Sequence, residues 1–196
     1  MSSPINKSDY MFFSVDVETT GTCPANGELC SIGAEAIRAD TLESAGLWAV
    51  NLKFTDPENY MSDPVTMQWW EQFPIEWDTH RQYPVRPYDA ALKFQTWVNS
   101  FDKQAVFVAW PVAFDFAWIT DLFVKFTFIN PFGYSPMCLK NYTLGLLGKP
   151  LALLGHREEA AMPEHWIVES SVPHVAIYDA IAQGQTLRHI LTSTNW

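Results

Sequence analysis

The most constraining feature of this 196-residue chain is a short apolar run that leads into two acids. Tyr10-Met11-Phe12-Phe13-Ser14-Val15 passes directly to Asp16-Val17-Glu18, and Thr19-Thr20-Gly21 follows. An aromatic and β-branched run of that length, closed by a turn signal, reads as a buried strand. Residues i and i+2 of a strand share a face and lie roughly 7 Å apart. Asp16 and Glu18 are therefore expected to project side by side from the end of a core strand. Burying two like charges together is unfavourable unless something positive sits between them. A divalent cation is the usual partner, and hard ions such as Mg2+ take carboxylate oxygens. The same spacing recurs in Asp56-Pro57-Glu58, but in a proline turn where no such site is expected.

The remaining pattern supplies a fold around that strand. Leu29–Arg38 and residues 47–54 read as second and third strands of an antiparallel meander, with 39–45 as the turn. Asp63-Pro64 reads as the cap and first position of a helix carrying Met67, Trp69, Trp70 and Phe73. Pro74 opens another short helix to about residue 82, and 88–101 is amphipathic. Residues 105–110 form a continuous apolar run, the mark of a buried parallel strand, and a helix follows over 113–127. Residues 137–147 read as helical, 148–172 as irregular and 174–191 as the last helix. Three strands, then helices, a strand and more helices predict one α/β domain over 1–196, three layers with a mixed central sheet.

Composition narrows the function classes. A hydrophobic fraction of 48% with 9 Trp supports a substantial core. A net charge of −10 argues against a sequence-independent grip on duplex nucleic acid, which needs a basic stripe. It leaves room for an enzyme whose metal ions meet a single phosphate. No stretch of about 18 apolar residues is present, so no membrane partner is expected. Residues 1–9 are polar and lack a signal core, which points to a cytoplasmic protein. Cys23, Cys30 and Cys138 form no closely spaced pair and read as reduced, mostly buried thiols.

Two further places carry chemistry. Asp115 falls in the first turn of the helix after the apolar strand, with Ile119 and Leu122 behind it as an inward stripe. An acid there is commonly just a partner of the helix dipole. Its place at the carboxyl end of a core strand is where α/β sites collect. Asp179 lies one turn into the last helix, and His174 stands at its mouth in Pro173-His174-Val175-Ala176-Ile177-Tyr178-Asp179. His80, His156, His165 and His189 have no acid five positions on. Each of these residues alone has a bland reading, a surface histidine or a first-turn charge.

Taken in order, the motifs resemble the DEDDh 3′–5′ exonuclease superfamily, the RNase H-like group of proofreading exonucleases, RNase T and oligoribonuclease. Asp16 and Glu18 match its first motif, Asp115 its second, and His174 with Asp179 its third. Thr66-Met67-Gln68-Trp69-Trp70 is similar to the phage-type subset related to exodeoxyribonuclease VIII. The resemblance implies an RNase H-like fold and two Mg2+ or Mn2+ ions about 4 Å apart. Asp16 would bridge both ions, Glu18 and Asp179 would complete one site, and Asp115 would support the other. His174 would be the general base. The implied substrate is the 3′ end of single-stranded DNA or RNA, released as nucleoside 5′-monophosphates. The resemblance also implies substrate contacts at Val17, Thr19, Thr20, Phe114 and Trp70, with Phe114, Phe116 and Trp70 as stacking rings.

Two departures stand out. Trp110-Pro111 occupies the place where His-Asn often precedes the second motif, which removes any contact that the Asn would make. Residues 148–172 exceed a minimal connection and read either as a substrate-facing loop or as part of a homodimer contact. Two rival readings are an inactive exonuclease-like nucleic-acid-binding module and a glycosidase with paired carboxylates. The first would have lost an acid or the histidine; the second leaves the His174–Asp179 spacing unexplained.

Overall fold

In the computed structural model, which describes residues 6–56, 58–149, 162–194 and 196, five strands form one mixed sheet in the order β3-β2-β1-β4-β5. The strands are β1 (Tyr10–Thr19), β2 (Leu29–Arg38), β3 (Ser44–Asn51), β4 (Gln104–Ala109) and β5 (Met137–Cys138). β1, β2 and β3 are antiparallel neighbours, whereas β1, β4 and β5 run parallel. The helices are α1 (Pro64–Trp70), α2 (Pro74–His80), α3 (Pro87–Asn99), α4 (Val112–Lys125), α5 (Leu139–Leu146) and α6 (Ala176–Ser193).

Strand alternation divides the core in two. Met11, Phe13, Val15 and Val17 of β1 face Phe94 and Val98 of α3 and Trp118, Ile119 and Leu122 of α4. Phe12 points the other way, to Leu139 of α5 and Leu187 and Ile190 of α6. The sheet is thus a middle layer between helices, the three-layer α/β arrangement expected.

α6 packs closely on the sheet at Gly33 of β2, which stands directly across the ladder from Asp16. A Cβ at Gly33 would collide with the backbone of Ala176 and Ile177, so only glycine lets the first turn of α6 seat there. Ser14 adds a hydrogen bond from its Oγ to the Ala180 carbonyl (2.8 Å), and Arg188 makes a bidentate pair with buried Glu35 (2.7 and 3.1 Å).

α1 is tied to the end of β1. Asp63 caps it by accepting from the Thr66 N–H (2.9 Å), and the Asp63 N–H donates to the Thr20 carbonyl (2.8 Å).

β1 runs to Thr19 with a register shift between Glu18 and Thr19, so Asp16 and Glu18 stand near the end of the strand as expected. Three local expectations differ from the structure. β3 is Ser44–Asn51 instead of 47–54, because the chain reverses tightly: Leu42 takes a positive φ and its N–H bonds to the Arg38 carbonyl (2.9 Å). Met137–Cys138 is strand, pairing Val108 and Ala109, before the helix expected there begins. α6 starts at Ala176, since His174 has φ 63 and sits in a loop before it. Among the cysteines, all free, Cys30 is buried but Cys23 is exposed. No helix among the described residues is long and apolar enough to cross a membrane.

Candidate active site

β1 and β4 stay paired only as far as Ser14 and Val108. Beyond that point β1 runs on while β4 turns into α4, and the gap is filled by an acid. Asp115, in the first turn of α4, accepts a hydrogen bond from the Val17 N–H at 3.1 Å. This fixes the second-motif carboxylate beside the strand that bears Asp16 and Glu18.

The third wall is α6. Asp179 sits in its first turn and accepts from the His174 N–H at 2.8 Å. One turn further, Gln183 donates from Nε2 to Asp16 Oδ1 at 3.0 Å. Glu18, His174 and Asp179 each offer a ligand atom within 4.8 Å of the others, a group able to hold a metal ion. Asp16, Trp110, Ser170, His174, Asp179 and Gln183 line an open cavity of about 440 Å³.

The electrostatics are those of crowded acids. Burial holds the Asp16 carboxyl well above the usual range, and the charges of Asp115, Glu18 and Asp179 push it the same way, against the Gln183 hydrogen bond. Glu18 is raised by burial and then by Asp179 and Asp115. Burial lifts Asp115 to about 7 despite the Val17 N–H, and burial also raises Asp179. The ion pairs Arg86–Asp89, Lys125–Asp121 and Arg188–Glu35 involve none of these four acids. The carboxylate oxygens of these four acids are donors that suit hard divalent cations.

The structure therefore brings Asp16, Glu18, Asp115, His174 and Asp179 around one centre. The residues expected to meet substrate are placed differently. The Val17 side chain lies in the opposite core, and only its N–H reaches the site. The Thr19 hydroxyl bonds the Gly21 carbonyl (2.7 Å). The Thr20 hydroxyl bonds the Met61 carbonyl (2.6 Å) and accepts from the Glu28 N–H (2.7 Å). Trp70 is only 2% exposed and donates its indole N–H to the Thr19 carbonyl (2.9 Å), which leaves no open ring face.

Its neighbour Trp69, 36% exposed, is the accessible ring. The rings of Trp69 and Phe73 meet His174 at centroid distances of 4.7 and 4.3 Å and meet each other at 4.8 Å, a cluster of three rings. Phe114 is half-buried against Trp118, and Phe116 packs edge-on to Phe107. Gln183 escaped the sequence reading although it lies four positions after Asp179, on the same helix face. The 148–172 segment lies partly outside the described residues, at 150–161. Its described part packs on α6, with the Val168 N–H on Thr186 Oγ1 (3.0 Å), and Ile167, Val168 and Ser170 line the cavity.

Comparison with known proteins agrees with this geometry. The family model described as the 3′-5′ exoribonuclease Rv2179c-like domain matches residues 11–191. The 3′-5′ DNA exonuclease Cap18 of Escherichia coli is 28% identical over 183 residues, 92% of this chain and 91% of that protein. In fold, the chain superposes on a zinc-bound E. coli exonuclease I–ssDNA complex with TM-score 0.66 and 16% identity. That match covers 95% of this chain but 41% of exonuclease I. It superposes equally on the nuclease domain of 3′hExo, a DEDDh family member bound to rAMP (TM-score 0.66, 12% identity, 93% and 92% of the two chains).

Proposed function

We propose, from the premise that this chain belongs to the 3′-5′ exoribonuclease Rv2179c-like family and is a 3′-5′ exonuclease, that it trims single-stranded DNA or RNA to nucleoside 5′-monophosphates. The observation that carries this reading is the gathering of five residues: Asp16, His174 and Asp179 line one open cavity, Glu18 lies with His174 and Asp179, and Asp115 is held on the backbone of Val17 between Asp16 and Glu18. The family model names RNA and the Cap18 relative names DNA, so the proposal covers both sugars.

Asp16, Glu18 and Asp179 would hold one Mg2+ or Mn2+, and Asp16 with Asp115 a second. Ions so held lower the pKa of a bound water and stabilise a departing oxygen. The protein's own part is positional. Gln183 orients the Asp16 carboxylate, and the Val17 N–H orients Asp115. The His174 imidazole takes the proton of the attacking water at a ring nitrogen. Its ring packs against both Trp69 and Phe73, and the His174 backbone N–H is anchored on Asp179. The exposed ring of Trp69 beside His174 is the platform for the terminal base, a role the buried Trp70 leaves open.

The test uses 5′-labelled single-stranded DNA and RNA with Mg2+, Mn2+ or EDTA. A descending ladder that needs metal, and that a 3′ phosphate blocks, is expected. Labelled mononucleotide as the first product, or full activity in EDTA, overturns the proposal.

A further inference from the structure

We propose that His80 of α2 is a positioning residue that holds the His174 peptide in the conformation that aims its imidazole at the reacting centre. This rests on the reading of His174 as general base. His80 is 2% exposed, and both of its ring nitrogens have partners. Nε2 lies 2.9 Å from the His174 carbonyl oxygen, and Nδ1 lies 3.1 Å from Ser31 Oγ. A carbonyl oxygen only accepts, so Nε2 carries the hydrogen. Nδ1 is then the acceptor, and the Ser31 hydroxyl donates to it. The partners thus dictate one neutral tautomer, and burial, which lowers the His80 pKa to about 4, keeps it neutral at ordinary pH.

The peptide it grips needs gripping. His174 has φ 63, the left-handed region that a side chain with a Cβ adopts at a cost. Its N–H is held by Asp179 and its carbonyl by His80, so both ends of this strained residue are fixed from different elements. The other end of the strut matters as well. Ser31 stands across the β1–β2 ladder from Glu18. A continuous line therefore runs from the strand bearing a metal acid, through Ser31 and His80, to the backbone of the proposed base. An imidazole placed only to fill the core would serve anywhere along α2; this one spans two parts of the site.

The experiment is a double-mutant cycle on the full chain, read by single-turnover cleavage of a 5′-labelled oligodeoxynucleotide with Mn2+. His80→Leu keeps the volume and removes the donor; His80→Gln returns an amide N–H. His80→Leu is expected to slow cleavage roughly 10–100-fold, the usual effect of losing such an outer hydrogen bond. Mn2+ affinity by calorimetry should stay unchanged, and His80→Gln should recover most of the rate. In a His174→Ala background His80→Leu should have no further effect. An equal loss in both backgrounds, or a His80→Gln variant that melts normally yet is as slow as His80→Leu, overturns the proposal. Should His80→Leu fail to fold, Ser31→Ala enters the same cycle with the same expected and overturning outcomes. A His174→Ala enzyme that is as fast as wild type overturns instead the reading of His174, and is recognised before the cycle is closed.

Discussion

One face of β1 carries Met11, Phe13, Val15 and Val17 into a core of rings, while the other carries Phe12, Ser14, Asp16 and Glu18 toward α5 and α6. On the first face, Phe13 meets Trp97, Phe101 and Phe132 with centroids 5.4, 5.6 and 5.5 Å away. Each contact is apolar and stabilising. On the second face, the outer half of the strand presents carboxyls whose burial and mutual repulsion favour the protonated, neutral form. Residues that alternate along one strand thus do opposite work. The difference teaches that the crowding of the acids is sustained from behind, by the aromatic packing of the same strand.

The comparison can be broken most sharply on the acidic face. Asp16→Asn or Asp179→Asn is expected to abolish exonuclease activity while the metal-free protein melts no lower than wild type, because a like charge has been removed. Surviving activity, or a large drop in Tm, would contradict the division. His174→Ala is expected to slow single-turnover cleavage by roughly 10²–10⁴, with Mn2+ binding retained. The apolar face should respond the other way. Phe13→Ala should cost about 3–5 kcal/mol in denaturant unfolding, as large aromatic truncations do, with cleavage preserved at low temperature where the variant is folded.

Gln183→Leu sharpens the boundary between the faces, since it changes only the orientation of a carboxylate. Calorimetry should show Mn2+ binding weaker by roughly 10–100-fold, with little change in metal-free Tm. A further test concerns pH. Asp115 moves from an ordinary value of 3.8 to about 7 on folding, and Asp16, Glu18 and Asp179 move upward too. The folded metal-free protein therefore binds more protons than the unfolded chain across that interval. Its stability is greatest below the unfolded value and falls as pH rises through the folded one. Melting curves at a series of pH values should show this decline, and added Mn2+ should reverse it at the upper end, where the acids are ionised. A flat profile without metal would mean that the carboxyls are hydrated instead of crowded.

Much of this was legible because it is local. The apolar run before Asp16 marks β1, and Leu29–Arg38 reads as a strand from its own alternation and is one. Asp115 and Asp179 announce themselves by position in a first helical turn. What escaped depends on partners far along the chain. A strand of two residues, Met137–Cys138, has no period to detect and exists because β4 offers an edge. α1 has seven residues and two adjacent tryptophans, too few for periodicity to say which faces inward. The Thr19 carbonyl decides it by engaging Trp70. His80 looks ordinary in its own helix, since Ser31 and His174, the residues that give it meaning, belong to other elements.

Gly33 has a consequence for the order in which the acids come together. The flat spot it leaves in β2 is where α6 lands, and α6 brings Asp179 and Gln183 to Asp16 in one movement. Asp16, Glu18 and Asp115 all lie ahead of that helix in the chain, so the cluster gains Asp179, and the His174 backbone anchored on it, only when α6 seats on β2.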